Sequence, residues 1–310
     1  MKKYTVIANP TAGHGNGLRA IPHIRQLFNE FHFEYDLVIT ERVGHATELA
    51  FQATQEGCPI IVGAGGDGTL NEIVNGLMRA GKAGLPLPAI GVLGVGRGND
   101  FGGSVGIPTD LKLACQVLAE DHRRKIDIGC VYGGLYPEGR YFINCVGVGF
   151  DAIGTIEAAK LPRWGGFLSF FVAILKTIFL YNKAPLATIK YDSQNLTQRS
   201  LMISIMNGRR LGGAFWMAPD AKQNDGLLDL CIAQQMSPVR IFMLIPHFLR
   251  GTQASQKTIT TGRAATIEIT GHDGSLPAQT DGEIICLNDS HLEIELLPRQ
   301  IDVILPSRRA

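Results

Sequence analysis

The sequence predicts two joined domains, an α/β domain on a parallel sheet followed by a β-sandwich-like, β-rich one. Three observations predict it. The chain has 310 residues, 45% of them hydrophobic and 18% charged, enough apolar material for two cores. From residue 4 to about 125 short apolar runs alternate with amphipathic ones, as strands joined by crossover helices do. After Lys125 β-branched, alternating runs follow one another closely, which suits a sandwich. The expected domains are therefore 1–125 and 126–297, with the last apolar run, 301–305, a candidate to return to the first domain in a tail of 298–310.

In the first domain, 4–8, 35–39, 59–63 and 89–93 read as strands. Leu18, Ile21, Leu27, Phe28 and Phe31 between them recur at helical spacing, as do Ala46, Leu49, Ala50 and Ala53. Each strand ends in a glycine-containing turn, and open α/β sheets bind ligands beyond the carboxyl ends of their strands. In the second domain the strand-like runs are 126–132, 141–148, 187–191, 201–206, 228–233, 265–270 and 292–296, interrupted by helical stretches at 150–160, 166–181 and 238–250.

Composition narrows the class. A formal net charge of +1 offers no bulk attraction to nucleic acid. Six dispersed cysteines (58, 115, 130, 145, 231 and 286) without a C-x-x-C pair read as buried reduced thiols. The opening residues carry no signal-peptide pattern, so a cytoplasmic location is expected. The most apolar stretch, 167–181, contains Lys176 and is shorter than the roughly 20 residues of a membrane span. The 37 glycines, about 12% against an average near 7%, point to many tight turns or close backbone approaches to a ligand.

Those glycines concentrate in Gly63-Ala64-Gly65-Gly66-Asp67-Gly68-Thr69-Leu70-Asn71-Glu72, a strand feeding a glycine turn that opens a helix over 69–78. Consecutive backbone N–H groups at such a helix start bind phosphate. A carboxylate about 4 Å from a phosphate would cost several kcal/mol at a surface-like dielectric. A bridging divalent ion reverses the sign of that interaction, so Asp67 inside the turn argues for a phosphate ligand carried with Mg²⁺.

Gly65-Gly66-Asp67-Gly68-Thr69 with Leu70, Asn71 and Glu72 resembles the nucleotide-binding signature of the diacylglycerol kinase catalytic domain. That superfamily is shared with sphingosine and ceramide kinases, NAD kinases and, more distantly, phosphofructokinases. Three further matches in the expected order favour its lipid-kinase branch. Asn9-Pro10-Thr11-Ala12-Gly13 resembles the loop near the ATP phosphates. Gly94-Val95-Gly96-Arg97-Gly98-Asn99-Asp100-Phe101 resembles the loop closing over the nucleotide, with Arg97 where many relatives carry threonine. Thr280-Asp281-Gly282-Glu283, otherwise an ordinary Asp-Gly hairpin turn, resembles the family's catalytic Asp-Gly-Glu. Thr40, in addition, matches a nucleotide-binding threonine.

The resemblance implies a Rossmann-like α/β nucleotide-binding domain, ATP as co-substrate with Mg²⁺, and an active site in an interdomain cleft. It implies Glu283 as general base and Asp281 as its partner or a Mg²⁺ contact, with the two roles interchangeable. Asp127, a lone acid in an apolar strand, is expected to pair with a cation and resembles an aspartate linked to the active site through lysines. Lys160 is one candidate, and His14 stands in the other lysine's place. Residues 218–229 resemble a structural Mg²⁺ loop, with the Asp225 side chain and the carbonyls of Lys222 and Leu227 as ligands.

The expected partners are a lipid substrate and a peripheral membrane surface, with no nucleic acid; a homodimer is left open. Phe167, Leu168, Phe170, Phe171, Ile174, Leu175, Ile178 and Phe179 read as buried core or as a wall for acyl chains. Lys160, Arg163 and Trp164 then stand at the headgroup boundary. Two rivals follow from the same residues: an NAD kinase, and a non-catalytic lipid-binding or regulatory protein of the same fold.

Overall fold

The computed structural model describes residues 3–161, 166–181 and 183–307, the side chains of 166–170 excepted. The chain divides into two compact units: residues 1–126 with 299–310, and residues 127–298.

In the first unit the order is β1 (Lys3–Ala8), α1 (Ala12–Glu30), β2 (Glu34–Ile39), α2 (His45–Gln55), β3 (Ile60–Gly65), α3 (Asp67–Lys82), β4 (Ala89–Gly94), α4 (Asp100–Val105) and α5 (Leu111–Glu120). The strands pair in parallel in the order β4-β3-β1-β2, and Val303 pairs in parallel with Ile90. Every residue of β3 is buried, which is why its sequence reads as a continuous apolar run: a parallel strand covered on both faces has no polar side. Core residues Val6, Ile24, Leu27, Phe28, Ile60, Val62 and Leu118 pack on one side of this sheet.

The second unit begins in β5 (Arg123–Gly133), which enters from the first, and continues with β6 (Tyr136–Phe142), β7 (Cys145–Gly149), α6 (Phe150–Lys160), α7 (Gly166–Leu180), β8 (Leu186–Tyr191) and β9 (Gln194–Met206). After these come β10 (Arg210–Leu211), β11 (Phe215–Trp216), β12 (Leu228–Gln234), α8 (Pro238–Arg250), β13 (Ile259–Ala264), β14 (Thr266–Gly271), β15 (Ala278–Thr280), β16 (Glu283–Cys286) and β17 (His291–Ile304). The first half of β9 pairs with β8, and its second half lies between β7 and β12. One long strand thus serves both layers, as corner strands of sandwiches do. Phe142, Val146, Ile189, Ile203, Ile232 and Ile267 fill the space between the layers.

Two local expectations need correction. The apolar run 141–148 is not one strand: β6 ends at Phe142 and β7 starts at Cys145. The backbone N–H groups of residues 143, 144 and 145 donate to the Asp281 carboxylate instead of continuing a ladder. Residues 259–264 form a strand against β12 although Ile-Thr-Thr-Gly-Arg-Ala shows little apolar alternation; its partner strand supplies the pattern its own sequence lacks.

Candidate functional site

In the first unit, three loops meet at the carboxyl ends of β1, β3 and β4. The β3–α3 turn works only with glycine, because a Cβ on Gly65 would sit 2.4 Å from Thr69 Oγ1. A Cβ on Gly96 would lie 2.5 Å from the Gly66 Cα, so the second glycine loop is in backbone contact with the first. Val95 and Gly96 donate N–H bonds to the Gly65 carbonyl at 3.0 and 3.1 Å. Asn9 fastens the third loop: its Nδ2 donates to Thr69 Oγ1 at 2.9 Å, and its Oδ1 accepts from Thr11. Asn99, in left-handed backbone with φ 46°, turns the chain into α4 and donates from Nδ2 to the Gly96 carbonyl at 3.1 Å.

Asp67 stands at the first position of α3, and its Oδ1 accepts the Phe101 N–H at 3.2 Å. Burial raises its pKa above the ordinary carboxylate value despite the opposing backbone N–H groups of residues 67 and 99–101. The charge is therefore incompletely compensated by the protein, and a cation there would be stabilising. This fits a Mg²⁺ ion delivered with a nucleotide.

Gly68 and Leu70 lie in the same first turn of α3; Asn71 is fully buried, with the Asn75 amide donating to it. Asp100 is buried at the start of α4. Glu72 serves another purpose, accepting the N–H groups of Gly44 and Ala46 and thereby capping α2. Thr40 is buried just beyond β2, its N–H donating to Ala8. Arg97 is exposed and makes no hydrogen bond or ion pair among the described residues, leaving its guanidinium available to an anion.

In the second unit, Asp281 and Gly282 form the two-residue turn between β15 and β16, both with positive φ (47° and 90°) and with Thr280 opposite Glu283. The hairpin reading and a functional role coexist here. Asp281 Oδ2 accepts the Ile143 N–H at 2.9 Å, and Oδ1 accepts those of Asn144 and Cys145 at 3.1 and 2.8 Å. Its carboxylate is bound into the scaffold. Glu283 Oε2 instead receives Arg140 Nη2 at 2.6 Å, the two side chains 28% and 14% exposed. Arg140, which also lies over the Tyr136 ring, escapes a reading of the sequence because nothing local marks one arginine in a polar strand; only its partner does.

Asp127 is fully buried. Its Oδ2 accepts the Gly226 N–H at 2.8 Å, and its own N–H donates to the Gln223 carbonyl at 2.7 Å. It thus clasps the loop 223–226. Lys160 pairs with Glu157 at 2.7 Å rather than with Asp127, and Lys176 joins the same carboxylate, tying α7 to α6.

The loop read as a Mg²⁺ site fits that ion poorly. Asp225 accepts the Leu227 N–H at 3.2 Å and pairs with the Arg263 guanidinium, which also reaches Asp229 at 3.3 Å. Among the described residues no three His, Cys, Asp or Glu side chains assemble around a common point. A cation at Lys222, Asp225 and Leu227 would have to displace Arg263.

Among α6, α7 and α8 lies an apolar cavity of about 70 Å³, with Phe150, Met202, Met217, Met236 and Phe248 among its walls. Ile174 of α7 lines it and Phe171 and Leu175 pack nearby. Ile178 is buried, whereas Phe179 is 74% exposed, so the helix is core on one face only. Arg163 and Trp164, and the side chains of Phe167, Leu168 and Phe170, lie outside the described residues. Among the described residues, the one charged side chain lining the cavity is Asp151, whose carboxyl accepts from Ser204 and is raised to about 6 by burial. Its signal in the sequence is slight, a lone acid between apolar neighbours at the start of α6.

Comparison with known proteins supplies independent findings. The diacylglycerol kinase catalytic domain family matches residues 3–131, and the YegS C-terminal NAD kinase beta sandwich-like domain family matches residues 144–305. A diacylglycerol kinase of Staphylococcus carnosus (strain TM300) is 29% identical over 283 residues, 91% of this chain and 89% of the relative. One of Bacillus subtilis (strain 168) is 28% identical over 312 residues, 100% of this chain and 98% of the relative. Among solved structures, a diacylglycerol kinase from Bacillus anthracis str. Sterne has a TM-score of 0.74 at 23% identity, covering 100% of this chain and 98% of its own. An NAD kinase from Archaeoglobus fulgidus in complex with ATP reaches 0.52 at 12% identity, covering 99% and 95%, a likeness of fold.

Proposed function

Since the chain belongs to the diacylglycerol kinase family and is a lipid kinase, we propose that it transfers the γ-phosphoryl group of ATP to the hydroxyl of a two-chain or long-chain lipid. Diacylglycerol, a phosphatidylglycerol-like lipid and a sphingoid base are the acceptor classes. The observation that carries the reading is Asp67: an under-compensated carboxylate at a helix start, inside a cradle of glycine backbone. When bound there, Mg²⁺ of MgATP would neutralise charge on the transferring phosphates.

The chain's own residues do the rest. The N–H groups of residues 68, 69, 97 and 98 hold phosphate oxygens. Asn9 and Thr69 keep the loops in register, Thr40 and Asn71 border the nucleotide, and Arg97 can hold a phosphate bidentately. Glu283 accepts the lipid hydroxyl's proton, which a weak alcohol nucleophile must lose as it attacks. Arg140 orients Glu283 through their ion pair. Asp281, spent on three backbone N–H groups, positions the hairpin rather than moving the proton. Asp127 holds the loop 223–226 in place. Acyl chains enter the apolar cavity of the second unit, whose Asp151 can hydrogen-bond a polar group of the lipid.

The test is incubation with Mg²⁺ and labelled ATP, with either a lipid panel or NAD. Label in a lipid fraction is expected, with Glu283→Gln lowering kcat at least about 100-fold at unchanged thermal stability. Label in NAD alone would favour the NAD kinase reading, which the fold permits. Lipid retained without any label would favour a non-catalytic binding protein.

A further inference from the structure

The helix α8 (Pro238–Arg250) is apolar on two sides, and only one of them is covered. Ile241, Leu244, Ile245 and Phe248 point inward and line the apolar cavity. Val239, Phe242 and Met243 point outward and are 65%, 57% and 63% exposed, with Leu249 at 37%. A helix with two apolar sides is ordinarily buried all round, so the outer face asks for a partner.

Its surroundings say which kind. Of the twelve large hydrophobic side chains exposed among the described residues, six belong to α8 or to the last turn of α7 (Phe179 and Leu180), which packs against α8. The exposure is a local feature and not a general looseness of the surface. Exposed Arg240 and Arg250 border the face, and no acidic residue occurs anywhere in 238–250. Two exposed arginines and no acid on a helix that presents large apolar side chains match an anionic lipid surface. The inner face of the same helix lines the cavity, so the bare face and the cavity belong to one element.

We propose that the outer face of α8, through Val239, Phe242 and Met243 with Arg240 and Arg250 beside them, docks on an anionic phospholipid bilayer. The proposal rests on reading the neighbouring cavity as the lipid site. Docked in this way, the enzyme takes its substrate directly from the membrane, and the cationic rim favours membranes rich in anionic lipid.

Full-length protein sedimented with phosphatidylglycerol–phosphatidylcholine vesicles tests it, alongside a separate assay of ATP-dependent phosphorylation of a water-soluble short-chain diacylglycerol. The wild type should pellet with the anionic vesicles and much less with pure phosphatidylcholine. The double variant Phe242→Ser/Met243→Ser should bind them at least about tenfold more weakly, with unchanged circular dichroism and unchanged turnover of the short-chain lipid. Arg240→Gln/Arg250→Gln should lose the anionic preference and its salt dependence. Undiminished vesicle binding by the serine variant would overturn the proposal. So would light scattering that shows a wild-type dimer dissociated by the serine substitutions, which would assign the face to a second copy of the chain. Vesicle binding intact with no lipid alcohol phosphorylated would leave the docking face standing and defeat the kinase reading instead.

Discussion

Two aspartate-bearing glycine turns, Gly65–Gly68 in the first unit and Thr280–Glu283 in the second, place similar residues in different surroundings. Asp281 is satisfied by the N–H groups of residues 143, 144 and 145. Asp67 is held by backbone N–H groups too, yet burial still raises its pKa, so folding leaves its charge short of compensation. The difference teaches that an Asp-Gly signature does not say whether its carboxylate serves the fold or the chemistry. The burial and the partners it meets on folding do.

The comparison breaks most visibly at Asp281. Asp281→Ala leaves three buried N–H groups without an acceptor and forces alanine into left-handed backbone, for a loss on the order of 3–5 kcal/mol in denaturant midpoint analysis. Asp67→Asn should do the reverse: a fall in kcat/KM of about 10²- to 10³-fold with a Tm unchanged or raised, because an under-compensated charge has gone. If Asp67→Asn unfolded the chain as Asp281→Ala does, the distinction between the two turns would be lost.

Asp151 sharpens the same point by titration. With its pKa raised to about 6 by burial, the folded state binds this proton more tightly than the unfolded chain. The contribution of this group to stability is therefore greatest below about pH 4, falls by up to roughly 2–3 kcal/mol as pH rises to about 6, and is flat above. Asp151→Asn should flatten that slope in urea titrations across the range. The smallest effect belongs to Arg263→Ala. Its bridges to Asp225 and Asp229 are half-exposed, and the loss should be within about 1 kcal/mol. Metal analysis of the purified wild type should find no stoichiometric Mg²⁺ in the absence of nucleotide. The alanine variant, with Asp225 released, should instead gain thermal stability on adding Mg²⁺.

The β3–α3 turn was legible because its determinants are local: a buried strand, glycines where side chains would collide, and a helix start fall within ten residues. The helix itself begins at Asp67 and ends at Lys82, beyond the expected 69–78 at both ends, because polar terminal turns carry no apolar periodicity. The break between β6 and β7 was not legible, since the carboxylate that causes it lies 136 to 138 residues away. Arg140 was hidden for the same reason.

By itself the sequence determined the two-part architecture and the placement of the glycine loops, because strand periodicity, glycine placement and helix starts are written in neighbouring residues; the lipid-kinase family entered through the resemblance of its motifs. Only the tertiary structure decided that Asp281 is anchored while Asp67 is under-compensated, that Arg263 occupies the carboxylate expected to bind metal, and which face of α8 remains bare. Those outcomes depend on how many donors, cations and apolar walls distant segments bring to one point, and that sum is formed only when the chain has folded.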